Sequence, residues 1–415
     1  MWPAKRATGV TEPRKPLLAV DEARSRVLAG LEPVGIETIP LEEGHGRVLA
    51  QGVAACITQP PFDASAMDGY AVRAADLGGI PCDLSVIGDA GAGHPFEAQV
   101  GAGQAVRIFT GGAVPEGADA VVMQEDTQRD GNTVVVKVRA EPGNFIRPRG
   151  YDFAEGDTLL RAGRKLGARD LALAAAMNVT QLKVRRKPVV AILATGDELV
   201  MPGDELKPGQ IVSSIPFGLA AMVEAAGGRG ERIGIARDTA DSLAEHIARA
   251  READILLTIG GASVGDHDLV QGALRSAGME LDFWKIAMRP GKPLMFGTLG
   301  PQRIVGLPGN PVSALICARI FLIPMLEKLL AQDSSAAAER PGVLAEGVGE
   351  NGPRQHYMRA TFESGPDGAA LVRPVRSQDS SLLSPLSQAD CLIVRSPGAP
   401  AALAGEAVAI LPLDF

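Results

Sequence analysis

Lys187-Pro-Val-Val-Ala-Ile-Leu-Ala-Thr-Gly-Asp-Glu198, Ala253-Asp-Ile-Leu-Leu-Thr-Ile-Gly-Gly-Ala-Ser-Val-Gly-Asp-His-Asp268 and Ile304-Val-Gly-Leu-Pro-Gly-Asn-Pro-Val-Ser313 are three apolar runs. Each ends in a loop of small and polar residues. Runs of about 4–8 apolar residues between glycine and polar punctuation read as buried strands of a parallel sheet. The spacing between them predicts helices over Phe217–Ala226, Ser242–Glu252 and Val270–Ala277. Strand and helix alternate, which describes a doubly wound α/β layer. Ligands of such layers bind beyond the carboxyl ends of the strands. Those ends carry Thr195-Gly-Asp-Glu198, Gly260-Gly-Ala-Ser-Val-Gly265 and Pro308-Gly-Asn-Pro311.

Outward from this core, 415 residues exceed what one ordinary hydrophobic core organises, so several domains are expected. Val20–Leu31 has helical spacing, Glu37–Leu49 reads as an extended segment, a turn and a strand, and Arg169–Met177 as an Ala-rich helix. Between them recur short β-like runs: Ala71–Val72, Leu84–Ile87, Ala105–Phe109, Ala120–Met123 and Thr133–Val138. The resulting division is a discontinuous linking α/β domain (17–51 and 146–178), a β-rich inserted domain (52–145) and the main α/β domain (179–330). After a polar, small-residue linker at Ala331–Pro341, alternating strands over Gln355–Phe362, Ala370–Pro374, Cys391–Arg395 and Ala407–Leu411 predict a C-terminal β-barrel or sandwich within 341–415.

Composition narrows the functional classes. A net charge of -8 disfavours a general nucleic-acid binder, and 4% aromatic residues offer no stacking platform. Cys56, Cys82, Cys317 and Cys391 are scattered without a CxxC pair, which fits reduced thiols in a cytoplasmic protein. Residues 1–16 are polar, with four Lys or Arg, and do not read as a secretory signal. No run approaches the ~18 apolar residues of a membrane span.

Chemistry concentrates in the loops. Gly260–Gly265 lets backbone N–H groups approach an anion at a helix N-terminus; read as structure alone it is a tight strand-to-helix turn. Asp266 and Asp268 behind it suit Mg²⁺, which takes oxygen ligands and keeps waters, or else cap the helix. Asp197 and Glu198 place two acids at a second strand end, for the same metal or for a substrate donor, or simply in a solvated turn. Met288-Arg-Pro-Gly-Lys-Pro293 is a stiff turn presenting Arg289 and Lys292, a pair of cations suited to an oxyanion; in isolation it is also an ordinary surface turn. Pro311 suits the first turn of the helix it opens, and Ser313 can offer an N–H or hydroxyl to an anion. Asp63–Tyr70 and Arg107–Gly112 look like turns, and nothing in them alone demands a site.

Taken together, Pro60–Val72, Thr110–Asp119, Ala194–Leu199, Gly260–Asp268, Arg289–Pro293 and Leu307–Ser313 closely resemble the bacterial MoeA family, the molybdopterin molybdenumtransferases, to which the E domain of gephyrin is related. The resemblance runs over nearly all of the chain. It implies an elongated homodimer of four-domain protomers with a MoaB/MogA-like α/β domain. It implies insertion of molybdate into the dithiolene of adenylylated molybdopterin, with release of AMP and Mg²⁺ assistance. By the same resemblance Asp268, Glu198, Asp238, Lys292, Asp68 and Thr110 are catalytic, with Asp268 and Glu198 as metal ligands. Gly261, Ser263, Arg289, Pro308, Pro311, Ser313, Arg359 and Ser380 are substrate-binding. Arg289 stands where the family commonly has lysine, which keeps the charge but changes its geometry. The expected partners are adenylylated molybdopterin, molybdate, a second copy of the chain and, transiently, a molybdopterin adenylyltransferase or apo-molybdoenzymes. The alternatives are a non-catalytic cofactor carrier or scaffold and a tungstate-inserting relative.

Overall fold

The computed structural model describes residues 17–261, 269–333, 339–365 and 370–413. They form two compact units. One comprises 17–37, Gly46–Ala50 and the chain from Val184 onward; the other comprises Thr38–His45 and Gln51–Lys183.

The first unit is built on a six-stranded sheet. Its strand order is Arg229–Ala236, Val189–Thr195, Ile255–Ile259, Gln302–Leu307, Met295–Leu299 and Glu280–Trp284. The first four strands are parallel, and three of them are the apolar runs that predict a parallel sheet. Ile255–Ile259 is buried at every position, and Val189–Thr195 at all but its first, which is why neither shows polar alternation. Helices Ile215–Ala225, Ala240–Arg249 and Leu269–Ser276 lie close to their expected positions. Buried side chains form a separate core on each face of the sheet, one including Val190, Ile192 and Leu257 and the other Ala191, Leu193 and Leu256.

Two features depart from the expected all-parallel layer. Met295–Leu299 pairs antiparallel with Gln302–Leu307 across the tight Gly300-Pro301 turn, and Glu280–Trp284 pairs antiparallel beyond it. Only antiparallel strands can be joined by so short a connection. The edge strand Arg229–Ala236 was not expected at all. Its sequence, Arg-Gly-Glu-Arg-Ile-Gly-Ile-Ala, lacks an apolar run because an edge strand is only partly covered.

Helix Val20–Leu28 buries Val20, Ala23 and Val27 in the larger of those two cores, so residues 17–51 contribute to both units. The helix opened by Pro311 runs over Pro311–Cys317, through a π-helical stretch at Ala318–Leu322, into Ile323–Leu329. The loosened π turn precedes Pro324, which has no N–H to continue an α-helical ladder.

The C-terminal part closes as a five-stranded barrel. Gln355–Ser364 pairs with Ala370–Pro374, which is followed by Arg340–Leu344, Ala407–Pro412 and Cys391–Arg395, and the last returns to Gln355–Ser364. Met288–Arg289 adds to it as a short parallel strand, with Arg289 opposite His356. Tyr357, Leu386, Leu392 and Leu411 meanwhile join the core beneath the α/β layer. The barrel is thereby docked beside the strand ends.

The second unit holds a mixed six-stranded sheet ordered Ala120–Met123, Gly69–Val72, Gln104–Ile108, Cys82–Ala90, Thr133–Val136 and Thr127–Asp130. Its two faces bury separate clusters around Val72 and Val106.

Asp254 ties the central strands at their amino ends. Its carboxylate accepts from Arg186 Nη1 and Nη2 at 2.8 and 2.6 Å and from Val189 N at 2.7 Å. Burial alone would raise its pKa, but these donors outweigh it and the carboxyl titrates below its ordinary range. Asp254→Ala should therefore lower stability by about 2 kcal/mol in urea unfolding, because it removes charge-assisted bonds and leaves Val189 N–H without that acceptor. The contribution is complete above the unfolded pKa of about 3.9 and is lost as pH falls through the lower folded value. The variant should lack that acid-side loss, and an unchanged acid limb would remove Asp254 from this role.

Candidate active-site cleft

The carboxyl ends of the parallel strands open into a cleft of about 700 Å³. Thr195 closes the first strand, and its hydroxyl donates to Ile259 O of the neighbouring strand at 3.2 Å. The next strand ends in Gly260-Gly261. At Gly261, φ is +67° and a β-carbon would lie 2.2 Å from Val270 Cγ2, so a side chain is excluded on both counts. The third strand ends in Pro308-Gly309-Asn310, where the helix begins with Pro311 in its first turn.

One group of cleft residues is acidic. Glu198 and Asp238 both line the cleft. Asp197 Oδ1 accepts from Asp238 N at 3.3 Å, and Arg237 Nη1 donates to Asp197 O at 3.2 Å, which holds the two loops together. Burial, followed by the charges of Asp197 and Glu198, raises the pKa of Asp238. Among the described residues no three His, Cys, Asp or Glu side chains gather as a metal cage.

Another group is cationic. Arg289, Lys292 and Arg354 line the cleft together with Asn310, Ser313 and Ser380. The turn Arg289–Pro293 keeps its shape partly through Gly291. There φ is +105° and a β-carbon would sit 2.4 Å from the buried Cys317 Sγ. Lys292 O accepts from Ile286 N at 2.9 Å, and Arg354 Nη1 donates to Met288 O at 3.3 Å. His356 lies behind this cluster. Burial, then the charges of Arg289, Arg354 and Arg395, lowers its pKa to about 4, so it is neutral at neutral pH.

The barrel supplies one wall through the loop 377–382. Arg359 is buried, and burial lowers its pKa. It was expected to contribute to the substrate pocket, but it is not among the cleft-lining residues. Its Nη1 donates to Leu382 O at 3.0 Å, and its Nη2 to Ser377 O and Asp379 O, both at 2.9 Å. A guanidinium spent on three carbonyls shapes a loop. Gln378 reinforces the loop by donating to Arg359 O and Val375 O at 2.9 and 3.0 Å.

Of the residues singled out in the sequence, Glu198, Asp238, Gly261, Arg289, Lys292, Pro308, Ser313 and Ser380 meet in this cleft. Pro311 is the first residue of its helix and does not line it. Asp268, Asp266 and Ser263 lie in 262–268, outside the described residues. Asp68 and Thr110 pair within the second unit, where Asp68 Oδ1 accepts from Thr110 N at 2.7 Å and Thr110 Oγ1 at 2.8 Å. Those bonds, the backbone one first, hold the Asp68 carboxyl below its ordinary range. Sequence reading did not single out Arg354, Gln378 and Asp379, and took Asn310 only as part of the Pro308–Pro311 loop; all four line the cleft. The place of Arg354, Gln378 and Asp379 depends on how the barrel docks.

Known proteins share this arrangement. A family model described as MoeA N-terminal region (domain I and II) matches residues 18–178. One described as probable molybdopterin binding domain matches 191–328, and one described as MoeA C-terminal region (domain IV) matches 341–413. A molybdopterin molybdenumtransferase of Haemophilus influenzae is 36% identical over 406 residues, covering 96% of this chain and 99% of that protein. One of Nostoc sp. is 41% identical over 301 residues, covering 71% and 69%. The crystal structure of a molybdopterin biosynthesis MoeA protein from Pyrococcus horikosii superposes with a TM-score of 0.81 at 31% identity, over 96% of this chain and 100% of that one. With three consecutive family regions and relatives alike along almost its whole length, the chain belongs to the MoeA family of molybdopterin molybdenumtransferases, which act in molybdenum cofactor biosynthesis.

Proposed function

We propose that this cleft joins molybdate to the dithiolene of adenylylated molybdopterin and releases AMP. The observation that carries the reading is the meeting in one cleft of the cations Arg289, Lys292 and Arg354 with the acids Glu198 and Asp238. Both substrates are anions on an acidic protein, so they need local cations. In the reaction, water adds to the pterin-side phosphorus, the anhydride P–O bond breaks and AMP leaves. The two sulfurs of the dithiol bond to molybdenum in place of one molybdate oxygen, which leaves as water with the two S–H protons.

Arg289, Lys292 and Arg354 hold oxyanion charge, and Ser313 and Ser380 add hydrogen-bond donors. Fixed charges of this kind act most where charge develops in a partly enclosed site. Glu198 would hold Mg²⁺, with Asp268 as the second ligand that the family resemblance implies, and Asp238 adds charge near Glu198. The oxygen-only donors Glu198 and Asp238 fit that ion, because Mg²⁺ binds through one or two carboxylates and completes its shell with water and phosphate oxygens. Bound there, it would neutralise phosphate charge. The protein is further proposed to work in the cytoplasm as a homodimer, with Asp68 and Thr110 acting from the second copy. Transient contact with a molybdopterin adenylyltransferase or with apo-molybdoenzymes belongs to the same proposal.

AMP release from adenylylated molybdopterin with Mg²⁺, measured with and without molybdate, tests the reading directly. Molybdate-dependent release yielding transferable cofactor is the expected result. Retention of substrate without turnover would favour a carrier, and preference for tungstate in competition would favour a tungstate-inserting relative. Lys292→Ala should lower the molybdate-dependent rate by about 100-fold while the fold is retained, as loss of one fixed donor to developing charge does in other sites. Full activity would remove Lys292 from the mechanism.

Asp238→Asn gives an independent check on the acidic group. A carboxyl whose folded pKa is raised contributes stability below its unfolded pKa of about 3.9 and loses it as pH rises through the folded value. At neutral pH without Mg²⁺, the variant should therefore melt at a higher temperature than the wild type and bind Mg²⁺ more weakly. A lower melting temperature, or unchanged Mg²⁺ affinity, would contradict this role.

A further inference from the structure

We infer that Asn310 is a positioning residue, which sets the Ser380 hydroxyl as a hydrogen-bond donor to a tetrahedral oxyanion in the cleft. The inference rests on the proposed function. Asn310 occupies the N-cap of helix Pro311–Cys317, where an asparagine ordinarily turns its side-chain oxygen onto the N–H groups of the first turn. Here it makes no such bond. The first N–H is absent because residue 311 is proline, and the next, from Val312, is taken by the backbone carbonyl of Ser380 at 3.1 Å. The barrel loop therefore does the capping, and the Asn310 side chain is released for other use. Its Nδ2 donates to Ser380 Oγ at 2.9 Å.

A serine hydroxyl has one hydrogen and two acceptor sites. With one acceptor site filled by the Asn310 amide, the hydrogen points away from Asn310. Ser380 lines the same cleft as Arg289, Lys292 and Arg354, which attract an anion there, so the acceptor proposed for its hydrogen is an anion oxygen. The loop does not need Asn310 to keep its place. Arg359 binds its carbonyls at Ser377, Asp379 and Leu382, and Val312 N binds Ser380 O. Removing the Asn310 amide should free the rotation of one hydroxyl and leave the backbone where it is.

A double-mutant cycle on the full-length protein tests this. Asn310→Ala, Ser380→Ala and the double variant are compared for melting temperature, for kcat of molybdate-dependent AMP release, and for KM of molybdate and of adenylylated molybdopterin separately. Asn310→Ala should raise one of the two KM values by about fivefold, the worth of one ordinary hydrogen bond, with kcat little changed. Ser380→Ala should raise the same KM, and the double variant should be no worse than Ser380→Ala alone. A rise confined to molybdate assigns the donor to molybdate; a rise confined to the nucleotide substrate assigns it to the pterin phosphate. Asn310→Asp, whose carboxylate would accept the Ser380 hydrogen and turn it away, should raise that KM further. Additive losses, or a fall in kcat with both KM values unchanged, would overturn the role of Asn310 while leaving the function intact. Wild-type protein that neither binds molybdate nor releases AMP would overturn both.

Discussion

The parallel register of three strands is the constraint on which the site depends. Leu193 lies opposite Thr258, and Thr258 opposite Gly306, so three separate loops emerge from the same edge of one sheet. Parallel pairing permits nothing else, since each strand must begin at the far edge after its crossover. Asp254 reinforces that far edge. Its side chain holds Arg186 and Val189, while its backbone bonds Val189 O and Arg303 N at 2.9 and 3.0 Å. Order at one edge thus secures the spacing of loops at the other.

The barrel completes what the sheet begins. Strand Met288–Arg289 pairs with the barrel, while Met288 is buried in the core beneath the α/β layer, so the turn carrying Arg289 and Lys292 is braced from both sides. The buried Arg359 then converts a Ser-rich loop into a fixed wall by satisfying three of its carbonyls. Burying a guanidinium is costly unless its donors are met, and meeting them on one loop makes that loop's shape part of the barrel's stability.

The cleft carries charges of both signs. Burial and then the charges of Asp197 and Glu198 raise the proton affinity of Asp238, while the cations sit on the braced turn and beside the barrel. A neutral His356 behind the cations avoids adding a further charge that burial would penalise. This combination suits the proposed substrates, which bring a phosphate-rich nucleotide portion and an oxyanion into one cleft.

Much of this was legible in residue order. Apolar runs, glycine punctuation and helical spacing are local properties, and they located three central strands and their strand-end loops; Glu198, Arg289, Lys292 and Ser313 stood out in those loops and turns, Asp238 and Ser380 were named only through the family resemblance, and all six line one cleft. Where the local signal was weak or ambiguous the reading faltered: the charged edge strand Arg229–Ala236 and the antiparallel pair after Trp284 are set by sheet position and a tight turn. Asn310 and Ser380 are 70 residues apart, and Arg289 meets His356 only through strand pairing. The sequence by itself determined which loops carry charge and donors, because those are properties of each residue and its neighbours. Only the tertiary structure decided that Arg354 faces the cleft, that Arg359 serves the loop behind it and that Asn310 meets Ser380, because each follows from how a closed barrel docks against an open sheet.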